Sequence, residues 1–330
     1  MISRAILIAT VCFALLPAGA HAARLFQPPL TELARGHITV IEGRAVEKTT
    51  DSVTFAALAR FSGSDDAARV TVRMKEGALG DVTVGEPYIV GFTAVVSHPQ
   101  RREEKLIDPD GPRVVTLRGF DTGALFPATD DVRALFLTIG AEQDEALRSS
   151  TVAALVRLLR SDDQRTRTLA AGELFLNEGL RVSIDADHAY RIGKATPTLS
   201  DELASYLVET LATLPEAHTA AWLPNVAREL IGNTDVEYDL ASHRPRLVSE
   251  SVQALTPHVL ACDQGRLEPL LRSNAPRVVK SSIAALERID PALAETLVAE
   301  TLDATEWDDS LTEPVRRILE AYRVTAAVLP

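Results

Sequence analysis

Cysteine is nearly missing from this chain, with two in 330 residues, Cys12 and Cys262. Cys12 sits in an N-terminal stretch that reads as a removable leader. Cys262 is then left without an intramolecular partner, so no disulfide framework can hold the fold and core packing must do so. Positive charge is also short. With 34 Lys+Arg against 46 Asp+Glu, the formal net charge is −12. That balance argues against nucleic acid, whose phosphates require a basic face, and against an anionic lipid surface. Aromatic residues are 5% of the chain and no phenylalanine follows Phe175, so the C-terminal half is poor in the stacking platforms that sugar and base sites use. The motifs of common chemistry are absent too: no G-x-S-x-G elbow, no H-E-x-x-H, no phosphate-binding glycine loop and no paired cysteines. No two histidines stand at i, i+4 on a helix, so spacing offers no zinc pair. No catalytic residue and no cofactor follow from the sequence, and the balance leans away from an enzyme.

What is present begins with an address. Arg4, the apolar run Ala5 to Leu16 and the A-x-A of Ala20-His21-Ala22 form a secretory signal pattern, with cleavage after Ala22. The apolar run stops at Pro17, short of the roughly 20 residues a bilayer-spanning helix needs. A periplasmic or secreted product, without membrane insertion after cleavage, is expected. Residues 23–35 follow as an extended lead-in around Pro28-Pro29.

From Gly36 the pattern has a period of two. His37–Ile41, Val53–Phe55, Arg69–Arg73, Tyr88–Val96 and Val114–Leu117 are β-branched or aromatic runs bounded by Gly, Pro, Asp or Ser. They predict a small all-β barrel over 36–129. Asp108-Pro109-Asp110-Gly111 reads as a turn between strands. Arg69 and Arg73, with Arg101, Arg102 and Lys105 in the next loop, read as solvated charges, because Glu103 and Glu104 interrupt the cluster. The run Val82-Thr83-Val84-Gly85-Glu86-Pro87-Tyr88-Ile89-Val90 resembles the entry to a late barrel strand in oligonucleotide/oligosaccharide-binding (OB) and netrin-like modules. That resemblance implies a five-stranded Greek-key barrel and brings no ligand with it.

Residues 130–330 turn helical, with Asp130 expected to cap a helix through Ile139. Thr151 to Phe175 reads as two antiparallel amphipathic helices joined at Ser161-Asp162-Asp163-Gln164, an S-x-x-Q capping box. Leu155–Ser161 aligns with Leu267–Ser273, and the register continues from Arg165 to Arg277 and from Leu174 to Leu286, a constant offset of 112 residues. That offset divides into three units of about 37, close to the length of two-helix repeats. The pattern "L-x-x-L-L-R-S, polar turn, x-R-x-x, A-A-x-x-L" resembles HEAT and related armadillo-type α-solenoids. The resemblance implies stacked helix pairs whose second helices line a protein-binding face. The fold expected is therefore α+β and multidomain: an OB-like barrel followed by a HEAT-like α-solenoid.

On that reading the outward positions of the second helices, Arg165 and Thr168 with Arg277 and Lys280, are the candidate contacts for a protein partner. Arg181 to Pro197 interrupts the helical rhythm and reads as a short extended run plus a polar loop. Its Asp185, Asp187 and His188 are the candidate metal ligands should that loop fold inward. The leading expectation is an exported interaction or scaffold protein. The alternatives are a metal-dependent enzyme or binder using 181–197, and a small-ligand or inhibitor module on the β domain.

Overall fold

The computed structural model describes residues 27–63, 67–97, 105–120, 122–139, 141, 144–232, 236–305 and 312–328. The expected leader, and Arg101 and Arg102, lie outside them. The contacts of the described residues separate into two compact units, one running up to His188 and the other from Ala189.

In the first unit the lead-in is not wholly extended: Pro29–Leu33 forms a short helix, α1, with proline at its start, where the missing N–H costs nothing. The period-two runs become strands. β1 (Thr39–Lys48) and β2 (Ser52–Ser62) form an antiparallel hairpin, with Ala45 opposite Phe55 and Lys48 opposite Val53. Both strands outrun the sequence expectation. Ala56-Ala57-Leu58-Ala59 is helix-favouring taken alone, but it is paired across the hairpin to β1, and pairing overrides a weak local preference.

β3 (Arg69–Arg73) lies antiparallel to β2, and a short helix, α2 (Glu76–Gly80), precedes β4 (Pro87–Thr93). β4 runs antiparallel to β1, so Ile41 faces Val90. Small hairpin strands follow as β5 (Val95–Ser97) and β6 (Lys105–Ile107). β7 (Arg113–Val114) then pairs parallel with β3 at Arg73 and antiparallel with β4. The ring β1-β2-β3-β7-β4 thus closes back on β1 as a five-stranded barrel. β8 (Thr116–Leu117) and β9 (Thr122–Gly123) form a further hairpin, and β10 (Leu125–Pro127) adds to β4. Val53, Phe55, Val72, Val90 and Phe92 fill the interior together with Leu79 of α2 and Val82. Each such burial is worth about 1.5–3 kcal/mol.

Helices begin at α3 (Asp130–Phe136), whose cap is Thr129 rather than Asp130: the Thr129 side chain accepts the Val132 N–H. α4 (Glu145–Leu158) and α5 (Gln164–Leu176) are the expected pair. Their junction is capped by Asp163, which accepts both the N–H and the hydroxyl of Thr166 at 2.8 Å. Ser161 instead accepts the Asp163 N–H. A carboxylate two residues closer to the helix start outcompetes the serine of the expected box. α6 (Glu178–Arg181) and α7 (Ala186–Ala195) replace the extended run and loop foreseen at 181–197.

In the second unit α8 (Asp201–Ala212), α9 (Glu216–Thr219) and α10 (Leu223–Ile231) lead to α11 (Arg244–Leu255), which packs on both α8 and α10. α12 (Gln264–Leu267) and a 3₁₀ turn, Glu268–Arg272, occupy the place of a first repeat helix; Pro269 accounts for the break. α13 (Pro276–Ile289) packs on α11, α14 (Pro291–Ala304) on α13, and α15 (Glu313–Val328) on α14. Asp290 caps α14 by accepting the N–H groups of Ala292 and Leu293. Among the described residues no helix is long and apolar enough to cross a membrane.

Candidate functional site

The candidate metal ligands sit at the start of α7. Asp185 accepts the His188 backbone N–H at 2.8 Å, which makes it the helix cap. The His188 Nδ1 atom lies 3.1 Å from the same carboxylate oxygen, off the hydrogen-bonding direction. Asp187 is exposed in the first turn, where its charge complements the helix dipole. Asp185 and His188 are therefore brought together as a cap, and among the described residues no group of three His, Cys, Asp or Glu is placed to hold a metal ion.

The candidate partner residues divide. Thr168 is 6% exposed and donates to the Gln164 carbonyl within its own helix. Arg165 is folded inward, with a side chain 14% exposed. Arg277 and Lys280, on α13, are exposed.

Arg165 lines a cleft of 1070 Å³ lying wholly in the first unit. One wall is the start of α5. The others come from the end of β3, α2 and the loop after it, the start of β4, and β7 to β9. The sequence folds this way locally for identifiable reasons. Gly85 takes φ +98°, a conformation open mainly to glycine. Its N–H then reaches the Ala45 carbonyl at 2.7 Å, which turns the chain into β4. The Tyr88 hydroxyl accepts the Thr83 N–H and donates to the Asp81 carbonyl, pinning the same loop. Gly172 of α5 lies under the Phe120 ring, and a Cβ there would come within 2.4 Å of it. That close approach sets the helix against the β8/β9 turn.

Four cations line the cleft, Arg73, Lys75, Arg113 and Arg165. Arg165 Nη2 binds Asp81 at 3.1 Å and its Nε lies 3.7 Å from Asp163. Arg73 binds Asp110 and Arg113 binds Asp108, each at 2.9 Å. Both partners belong to the Asp108–Gly111 turn, which is closed by the Gly111 N–H on the Asp108 carbonyl. Lys75 is engaged as well. One donor is left over: Arg165 Nη1 is shielded from solvent and has no acceptor. A buried N–H without a partner costs about 1–3 kcal/mol. Among the lining carboxylates, Asp51 accepts the Thr49 hydroxyl, while Glu86 and Asp162 are exposed and have no ion-pair partner among the described residues. Sequence reading placed Arg73 among the solvated charges. The residues it meets here are distant in the chain, so no spacing could have signalled the cluster.

A second, smaller cavity of 340 Å³ lies in the other unit around Trp222, Tyr190, Asn225 and Glu229. The Trp222 ring packs onto Gly193, whose Cβ position would fall 2.2 Å from it, and its indole N–H donates to the His218 carbonyl. The indole is thus held as a packing anchor between α7 and α10.

Comparison with known proteins adds little. No family model matches the chain, and no curated protein matches it. A solved structure of an engineered protein from the Northeast Structural Genomics Consortium is 18% identical, with 59% of this chain and 97% of that chain covered and a TM-score of 0.35. At that score the likeness fixes neither fold nor function, so the residues themselves must carry the functional reading.

Proposed function

We propose that this is an exported, non-enzymatic interaction protein that docks an extended segment of a protein partner in the cleft of its first unit. The observation that carries this reading is the cleft's lining, charges already tied into ion pairs beside the apolar wall of Met74, Pro87 and Val114. Side chains already fixed by their own pairs lose little freedom on binding.

Two finer structural readings accompany it. Five strands closing through neighbours distant in sequence, with Leu79 of α2 packed into the interior, support an OB-like Greek-key barrel. The α4/α5 pair, and the start of α13 at the position aligned with the start of α5, support HEAT-like helix pairs. Export rests on the leader pattern ahead of Ala23; N-terminal sequencing of the mature protein should begin at Ala23, and an intact Met1 would remove it.

The docking reading is tested by blocking the cleft. In a Cys262→Ser background, Thr116→Cys carries a bulky maleimide on an exposed cleft position, and Arg277→Cys carries the same label on α13. The cleft label should abolish capture of partner from the cell envelope while the α13 label leaves it intact. The reverse result would move the site to the helical face of Arg277 and Lys280.

A further inference from the structure

We propose that α1 is a proton-operated latch on α5: the helix stays docked while the Glu173 carboxyl at their contact is neutral, and it loosens when that carboxyl ionises. The latch belongs to the first unit alone and does not depend on what occupies the cleft.

The contact joins a buried acid to a backbone group. Glu173 is 0% exposed, and its oxygens accept the Leu30 N–H at 2.9 Å and the Asn177 amide at 2.7 Å. Asn177 is fixed in turn, since its own side-chain oxygen accepts the Leu180 N–H. Both donors are neutral, and a carboxylate buried without a cation is costly. The charged groups on the elements packed against α5 are occupied or exposed. On α1, Glu32 is paired with Arg118 at 3.2 Å. On α4, Glu145 is exposed, Arg148 is engaged and Arg157 binds Asp131. On α6, Glu178 is exposed and Arg181 donates to the Phe175 carbonyl. On α5 itself, Arg165 binds Asp81 and Arg167 donates to Gln164. β9 and β10 carry no charged residue. What acts on Glu173 is burial, opposed by its two hydrogen bonds; burial wins and raises the carboxyl to about 7.

Of the two helices, α1 is the one that gives way. It has five residues, joins β1 through the turn 34–38 and pairs with no strand. Lifting it uncovers chiefly Leu30 and Leu33 and parts Glu32 from an exposed arginine. α5 is packed by α4, α6, β9 and β10, so moving it would open the whole unit. Short elements with few buried contacts open first. With α1 lifted, Glu173 meets water and ionises at its ordinary value. Docking is therefore complete below about pH 4.5 and weakens as pH rises through about 7.

The test is amide hydrogen exchange on the full protein from pH 5 to pH 8, corrected for the pH dependence of the chemical exchange rate. Glu32 and Ala34, whose N–H groups close α1, are compared with the fully buried Ile89 and Val90 of β4. The α1 amides should open more readily than those of β4 at every pH, without needing denaturant, and their opening constant should rise on the order of fiftyfold across this range. The rise should level off at the pH where the Glu173 carboxyl carbon titrates by NMR, and it should vanish in Glu173→Gln. A flat α1 opening constant overturns the latch, as do α1 and β4 opening constants that coincide at every pH, which would leave global unfolding as the one event. A rise that persists in folded Glu173→Gln overturns it too. Should that variant fail to fold, the wild-type comparison decides: a rise that levels off away from the Glu173 titration refutes the latch.

Discussion

Glu173 is the least expected side chain in the protein. It is 0% exposed on α5, with no cation beside it, and accepts the Leu30 N–H of α1 at 2.9 Å and the Asn177 amide at 2.7 Å. Burial pushes its carboxyl up from 4.5 to about 7, against the lowering effect of those two hydrogen bonds. Between these values the folded state holds a proton that the unfolded state has lost. The stabilisation is therefore complete below about pH 4.5 and is lost as pH rises through about 7. Glu173→Gln should flatten this fall and leave the protein up to about 3 kcal/mol more stable than wild type at pH 8, as read by denaturant titrations across pH 4 to 8. Asp263 is the opposite case. It is 3% exposed and held below the usual carboxylate range chiefly by its hydrogen bonds from Arg228, at 2.7 and 2.9 Å. Asp263→Ala should strand the guanidinium and cost about 3 kcal/mol, seen as a lower midpoint at pH 7. Glu173 was legible in part: four residues after Leu169, it falls on the apolar stripe of its helix. That α1 supplies the N–H it binds was not, because 143 residues separate the two.

At the level of elements, helix starts show what local sequence can and cannot choose. Asp290-Pro291 is legible because a capping carboxylate followed by proline leaves one workable arrangement. At Ser161–Gln164 three capping side chains compete within four residues, and the outcome depends on where the incoming α4 ends. The repeat register was legible, and α13 begins at the residue aligned with the start of α5. The α4 counterpart in the second copy was not, since Pro269 divides it. Tight packing allows a sharp prediction. Gly172→Ala drives a methyl into the Phe120 ring and should cost about 1–3 kcal/mol. Pairing it with Phe120→Leu should restore part of that loss in a double-mutant cycle; additive losses would mean the ring does not bear on the helix.

At the scale of the whole chain, the contacts fall into two units divided within α7, between His188 and Ala189. α3 to α6 group with the barrel because Phe120, Leu30 and Asp81 bind α5 from the β side. Each unit should report its own substitutions: Glu173→Gln is expected to shift the thermal transition of the first, and Asp263→Ala that of the second, in calorimetry with site-specific probes. A single transition moved equally by both would show them unfolding as one. By itself the sequence determined the class, β then α, because side-chain periods of two and 3.6 are local properties. It also determined the acidic charge, the absence of a disulfide framework and the repeat offset. The barrel's closure, the buried Glu173 and the cleft around Arg165 were decided by tertiary structure. Each depends on residues dozens of positions apart, brought together by burial that no single segment encodes.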